Sequence, residues 1–311
     1  MIEACEACLR RSYAASDQER PVGSLAVDAV CVHSERYPPS LRELHDPPHV
    51  LYSTDLSSVV TEGEGAVVVI GSRDPSEYGR GVAYALARGL GAAGVPVVSG
   101  MALGIDAVSH TGCLDGGGRT IAVLASGVDV PYPRTNRRLY ERIRGSGAIV
   151  SELPPGSRPY RWLFPARNRI MAALGRLTVV VEAAERSGTL ITADFAADLG
   201  RQVAAVPGRV TSPAAVGTNA LLRDGAALVT GAQDVVDLIY GVGARTVPVE
   251  PGSELDPVDA AVLERLAMGE GLDVIGRAVG VSAAELRAAL ARLELRGLVR
   301  RAPSGAFIAS P

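Results

Sequence analysis

Seven short apolar runs, most of them bounded by glycine, constrain this chain more than any other feature. They are "AVVVI" (66–70), "VPVVS" (95–99), "TIAVLA" (120–125), "AIVS" (148–151), "LTVVVE" (177–182), "QVAAVP" (202–207) and "ALV" (227–229). Runs this short and this uniformly apolar are strands buried on both faces. Between and after them lie stretches with helical periodicity at 78–93, 104–115, 135–145, 166–174, 190–199, 214–223 and 232–240. Strand and helix in alternation predict βαβ units with right-handed crossovers. The fold class expected is α/β: a doubly wound, mostly parallel, Rossmann-like sheet over residues 61–241.

The flanks have a different texture. Residues 1–60 read as a partly irregular extension, with "YPPSL" and "HDPPHVLY" giving turn and extended signals. Residues 242–255 are a Gly/Pro-containing linker. Residues 256–311 predict three helices and a hairpin, the layout of a small winged-helix domain. Its third helix has an N-cap at Ser282, apolar positions at Leu286, Leu290 and Leu293, and a stop at Gly297. Its basic residues Arg287, Arg292 and Arg296 stand against Glu285 and Glu294, a weak balance for a helix that reads duplex DNA.

Charge is unevenly placed. The chain carries a net charge of −3, and all 31 basic residues are arginine. Between residues 119 and 169 there are ten arginines and three acids, so that segment is +7 and the other residues sum to −10. A local basic stripe on an acidic chain predicts a defined anionic partner. The segment culminates in "RPYRWLFPARNR" (158–169), where arginines are interleaved with Tyr160, Trp162 and Phe164. Arginine tracks a phosphate backbone and aromatic rings stack bases, a combination suited to single-stranded nucleic acid.

Open α/β sheets bind ligands at the carboxyl ends of their strands. Four loops with anion-binding residues fall there. Gly71, Ser72 and Arg73 follow the first run. Gly100 and Gly104 follow the second, with Asp106 expected as a structural cap. Arg161, Phe164, Arg167, Asn168 and Arg169 surround a helix start. Ser187, Gly188 and Thr189 precede another, with Glu182 expected to serve as a hydrogen-bonding group. No G-x-S-x-G motif is present, and His110 lacks a partner nucleophile, so the chain is expected to bind rather than catalyse. No catalytic residue, cofactor or metal is expected. Cys5, Cys8, Cys31 and His33 are ligand types for zinc, but their long, irregular spacing favours unpaired thiols. No long apolar run and no secretory leader pattern occur, which predicts no membrane contact and a cytoplasmic location.

Seven motifs in order resemble the DNA-processing protein A family (DprA, also called Smf): "GSR", "SGMALGIDAVSH", "YP…NRRLYERI", "FPARNRIMAALG", "VVVEAAERSGTLITA", "GRQVAAVPG" and "VGTNALLRDGA". The resemblance covers roughly residues 35–240, and the tail resembles that family's winged helix. It implies an extended Rossmann fold that binds single-stranded DNA, protects incoming strands in natural transformation and helps load the RecA recombinase, as a homodimer built through the Rossmann domain. By motif match Arg73 and Arg161 contact phosphates and Phe164 lies against a base. Arg167, Asn168 and Arg169 complete the pocket, with Gly100 and the 187–189 loop lining it. The helical N-terminal module of many relatives has no counterpart pattern in residues 1–60. The alternative is a small-nucleotide-binding or nucleotide phosphoribohydrolase-like protein. "ERSGTLITA" stands where those enzymes carry a Gly-Gly-x-Gly-Thr loop, without the leading glycine pair.

Overall fold

The structure is a computed structural model and describes residues 2–16, 27–59, 65–248, 255–295, 298–302 and 305–309. It divides into two compact units, Met1–Val247 and Pro248–Pro311.

Among the described residues the first unit is built on one ten-stranded sheet. Its strands are β1 (Ile2–Glu3), β2 (Asp28–Cys31), β3 (Val50–Ser53), β4 (Ala66–Ile70), β5 (Val97–Ser99), β6 (Thr120–Val123), β7 (Ala148–Ser151), β8 (Gly175–Val180), β9 (Gln202–Ala205) and β10 (Ala227–Leu228). The helices are α1 (Glu6–Ser16), α2 (Pro39–Arg42), α3 (Glu77–Ala92), α4 (Ile105–Asp115), α5 (Arg137–Ser146), α6 (Leu163–Leu174), α7 (Leu190–Asp198), α8 (Val216–Arg223) and α9 (Ala232–Tyr240). The strand order is β1-β2-β3-β7-β6-β5-β4-β8-β9-β10. From β7 across to β10 every pairing is parallel. The chain therefore winds outward from β4 through β5, β6 and β7, then returns to the other side of β4 with β8. This is the doubly wound sheet that the apolar runs predict.

Alternate residues of β4 show why the sheet needs cover on both faces. Val68 and Ile70 pack into one core with Ile121, Ile170 and Met171, and Val67 and Val69 into another with Leu86, Leu90 and Val179. Each such buried side chain contributes roughly 1.5–3 kcal/mol. Helix α3 begins at Ser76, whose hydroxyl accepts the Gly79 N–H at 3.1 Å.

The described residues before 60 contain short strands and the helices α1 and α2 within a partly irregular stretch. They supply β1, β2 and β3, with β2 antiparallel to β3 and β3 antiparallel to β7, which extends the sheet beyond β7. The strands are only two to four residues long, so they carry almost no periodic signal. The four thiols are free, and three of them are brought together in a way their spacing does not show. Parallel pairing sets Glu3 opposite Val30, which brings the start of α1 beside the end of β2. Cys5, Cys8, Cys31 and His33 thereby converge, although they are distant along the chain. Cys113 stays apart, buried on α4.

The second unit contains α10 (Pro257–Ala267), α11 (Leu272–Val279) and α12 (Ala283–Leu295), followed by the antiparallel pair β11 (Val299–Arg301) and β12 (Phe307–Ala309). Ser282 and Glu285 form a reciprocal capping box at the start of α12, at 3.3 and 2.8 Å. Leu286, Leu290 and Leu293 are buried with Val262 and Ile275. Arg292 is tied to the buried Asp259 at 2.5 and 2.9 Å, so it holds α12 on α10. Arg296 and Gly297 lie outside the described residues.

Candidate functional site

The winding reverses between β4 and β8, and a crevice opens at their carboxyl ends, as this topology requires. It is an open cleft of about 670 Å³. Its walls are the loop after β4, the loop after β5, the first turn of α6 and the loop between β8 and α7.

Glycine makes this convergence possible. A side chain at Gly71 would lie 2.6 Å from Ile105. Gly104 has φ of 80°, and a Cβ there would collide with the backbone of Ser72 and Arg73. With both positions bare, the Ile105 N–H donates to the Ser72 carbonyl at 3.1 Å, and the Ser72 N–H donates to the Glu182 carbonyl at 2.8 Å. The Thr189 hydroxyl donates to the Gly71 carbonyl at 3.0 Å, joining the fourth loop to the first.

Arg73 projects from this frame and is exposed. Its guanidinium carbon lies 5.5 Å from the centre of the Phe164 ring. Tyr132 packs on Phe164 with ring centres 5.5 Å apart and the planes tilted by 53°. Phe164 packs on Leu163, Leu153 and Ala125, so the ring is anchored on an apolar patch and stays half-exposed, with Arg73 over it. Arg161 lines the same cleft and is exposed. Neither Arg73, Arg158 nor Arg161 has an ion-pair partner among the described residues. Trp162 and Tyr160 are 64% and 52% exposed, which makes them rings facing solvent rather than core.

The other two arginines have different tasks. Arg167 is buried, and its Nη1 donates to the carbonyls of Gly100, at 2.8 Å, and Val123. Burial pushes its guanidinium down to about 10, against the opposing pull of Asp106 and with the repulsion of Arg73. Gly100 is packed directly under that guanidinium and does not line the cleft. Arg169 forms a two-pronged pair with Glu152 at 2.9 and 2.7 Å, and it too is absent from the cleft wall. The sequence cluster therefore separates. Gly71, Ser72, Arg73, Arg161, Phe164, Asn168, Ser187, Gly188 and Thr189 line the cleft. Arg167 lines it from below while tied to the strand ends, and Gly100 and Arg169 support it from behind.

The buried carboxylates near the cleft hold backbone in place. Asp106 accepts the N–H groups of Gly100 and Ala102 at 3.1 and 3.4 Å, and burial pushes its carboxyl up. Glu182 accepts the Ser76 hydroxyl and N–H at 2.5 and 2.9 Å. His110 is fully buried, and its Nδ1 meets the Thr120 hydroxyl at 2.6 Å. Burial, helped by Arg167, pushes the imidazole down to about 3. Tyr132 and the exposed acid Asp74 are cleft residues that sequence reasoning missed. For Tyr132 the signal available was an aromatic between two prolines in the loop after β6.

Residues 28–240 match the family model for DNA recombination-mediator protein A, and residues 247–305 match the DprA winged helix domain. The chain belongs to the DNA recombination-mediator protein A family. A Mycobacterium tuberculosis member of this DprA family is 44% identical over 259 residues, which cover 81% of this chain. The match spans 66% of that relative, just under two thirds of its length. The DNA processing protein DprA of Bacillus subtilis is 36% identical over 68% of this chain and 71% of its own. Among solved structures, Streptococcus pneumoniae DprA superposes with a TM-score of 0.64 at 37% identity, covering 75% of this chain and 77% of that one. Helicobacter pylori DprA, whose structure is described for its single-stranded DNA binding mode, gives a TM-score of 0.62 at 28% identity, covering 70% of this chain and 96% of that one. These DprA structures share the Rossmann-like architecture that carries the cleft.

Proposed function

We propose that this chain binds single-stranded DNA along the cleft at the β4–β8 switch point, without catalysing a reaction on it. One observation carries the reading: an exposed arginine, Arg73, and a half-exposed aromatic ring, Phe164, line the cleft together, the guanidinium over the ring. A strand presents phosphate and base side by side, and this pair offers a partner for each. Arg161 supplies a second phosphate contact. Gly71, Ser72, Asn168 and the Ser187–Gly188–Thr189 loop offer polar groups to the backbone. Arg167, Arg169 and Gly100 hold the frame. The binding mode described for the Helicobacter pylori relative supports the same ligand.

The engagement of Glu182 and Asp106 with backbone and cap groups supports binding over nucleotide hydrolysis, because neither carboxylate is available as a base. Family membership supports the wider role: a cytoplasmic homodimer that protects incoming strands in natural transformation and delivers them to RecA. That wider role rests on the family alone.

Fluorescence anisotropy with a labelled single-stranded oligonucleotide tests the site. Phe164→Ala should weaken binding by about 1–3 kcal/mol, the range for one stacked base. Arg73→Ala and Arg161→Ala should each weaken it while the thermal midpoint is retained. Unchanged affinity in all three folded variants would remove the assignment.

A further inference from the structure

At the edge of the sheet, away from the β4–β8 cleft, four side chains point at one another for no reason that the proposed function supplies. His33 Nδ1 lies 3.8 Å from Cys5 Sγ, 3.5 Å from Cys8 Sγ and 3.9 Å from Cys31 Sγ. All four ligand atoms fall within 4.8 Å of one another. We propose that Cys5, Cys8, Cys31 and His33 bind one zinc ion, a closed structural site that fastens α1 to β2.

The dimensions fit. With zinc–sulfur bonds of about 2.3 Å and a zinc–nitrogen bond of about 2.0 Å, a tetrahedron has edges of roughly 3.5–3.8 Å. The three nitrogen–sulfur separations lie at or just above that range. The set is too compact to bracket a multi-iron cluster, and Cys3His is a zinc donor set. Four protein ligands leave no open position, so the ion would be structural rather than catalytic.

The fold places each ligand independently of any metal. Cys5 and Cys8 flank the first turn of α1, which has the Cys-x-x-Cys spacing. Cys31 closes β2, and His33 follows it by two. The Glu3–Val30 pairing sets these two segments together. The Cys5 N–H donates to Cys31 Sγ at 3.5 Å, a contact that orients the sulfur and favours its thiolate. Cys8 and Cys31 are buried in an apolar shell that includes Ala29 and Val50, and Cys5 and His33 are exposed. An ion can thus arrive from solvent and be held against a dry floor. A disulfide would join two of the sulfurs and leave unexplained why the imidazole nitrogen faces all three.

The test uses the full chain, produced without a polyhistidine tag in zinc-supplemented medium and measured for metal after gel filtration. About one zinc per chain is expected. Replacement by cobalt(II) should give the intense visible bands of a tetrahedral ion together with sulfur-to-cobalt charge transfer. Cys31→Ser and His33→Ala should lose the metal, and Cys113→Ala should keep it. A chelator should lower the thermal midpoint of the native chain and leave that of His33→Ala unmoved. Stoichiometry and the cobalt spectrum are read on the native chain, so a variant that fails to fold does not decide the matter. Less than about a tenth of a zinc per chain with no thiolate–cobalt bands would overturn the proposal. So would iron in place of zinc, a disulfide among the three cysteines, or equal metal loss in Cys113→Ala.

Discussion

Arg167 and Arg169 sit two positions apart on α6, so their side chains leave the helix about 200° apart. One plugs the ends of β5 and β6 through carbonyl contacts, and the other clamps Glu152. Arg73 and Arg161, chemically identical to them, face the cleft and make no ion pair among the described residues. Removing Arg169 strands a Glu152 carboxylate that is only 21% exposed on its side chain. Arg169→Ala should therefore cost about 1–3 kcal/mol of stability, whereas Arg161→Ala, at an exposed position, should stay within about 0.5 kcal/mol. Urea unfolding compares the two. An unchanged midpoint for Arg169→Ala would mean that the Glu152 pair does not hold α6. Strand affinity, compared at equal folded fraction, should order the variants the other way. The arginine-aromatic cluster was legible in sequence because charge and ring type are local properties. Which arginine turns inward was not, because the carbonyls that capture Arg167 belong to strands 44 and 67 residues away.

Helix α4 is tied to the sheet by a polar chain: His110 Nδ1 meets Thr120 Oγ1, whose hydroxyl donates to the Val97 carbonyl at 2.7 Å. Because the Thr120 hydroxyl donates to Val97, the ring proton sits on Nδ1, and burial keeps the imidazole neutral. The folded state binds that second proton only near pH 3, while an unfolded histidine binds it near 6.5. Between those values the unfolded chain holds more protons, so stability falls as pH falls from about 6.5 toward 3. The slope from this one group is at most about 1.4 kcal/mol per pH unit. His110→Asn keeps an N–H for Thr120 and removes the titration. Its urea midpoint should fall less steeply than that of the native chain between about pH 6 and 4. Parallel curves would show that His110 does not carry the acid sensitivity. At this scale most of the parallel sheet was legible: β4 and β7 occur at the bounds their apolar runs give, since both faces of those strands are buried. Strands β1 to β3 were not legible, because two- and four-residue strands contain no period to detect. The same gap hid the cysteine cluster, whose spacing makes sense only once β1 pairs with β2.

The whole molecule is acidic, yet residues 119–169 carry +7 against −10 elsewhere. Part of that stripe is neutralised locally. Arg142 pairs with Asp115, Arg144 with Glu141 and Arg169 with Glu152, and Arg167 is buried. Arg134, Arg137, Arg138, Arg158 and Arg161 remain exposed, and of these Arg161 lines the cleft together with Arg73, on a chain whose net charge is −3. Binding should then be salt-sensitive in proportion to the few phosphates actually neutralised. For a single strand each such phosphate adds about −0.7 to the slope of log K against log salt. Arg73→Ala should shallow the slope by about that amount as it lowers affinity. Phe164→Ala should lower affinity with the slope unchanged, because stacking releases no counterions. A titration at four or five salt concentrations separates the two. If both variants shift the line without tilting it, Arg73 does not neutralise a phosphate. If both tilt it equally, Phe164 acts by holding Arg73 in place rather than by stacking a base.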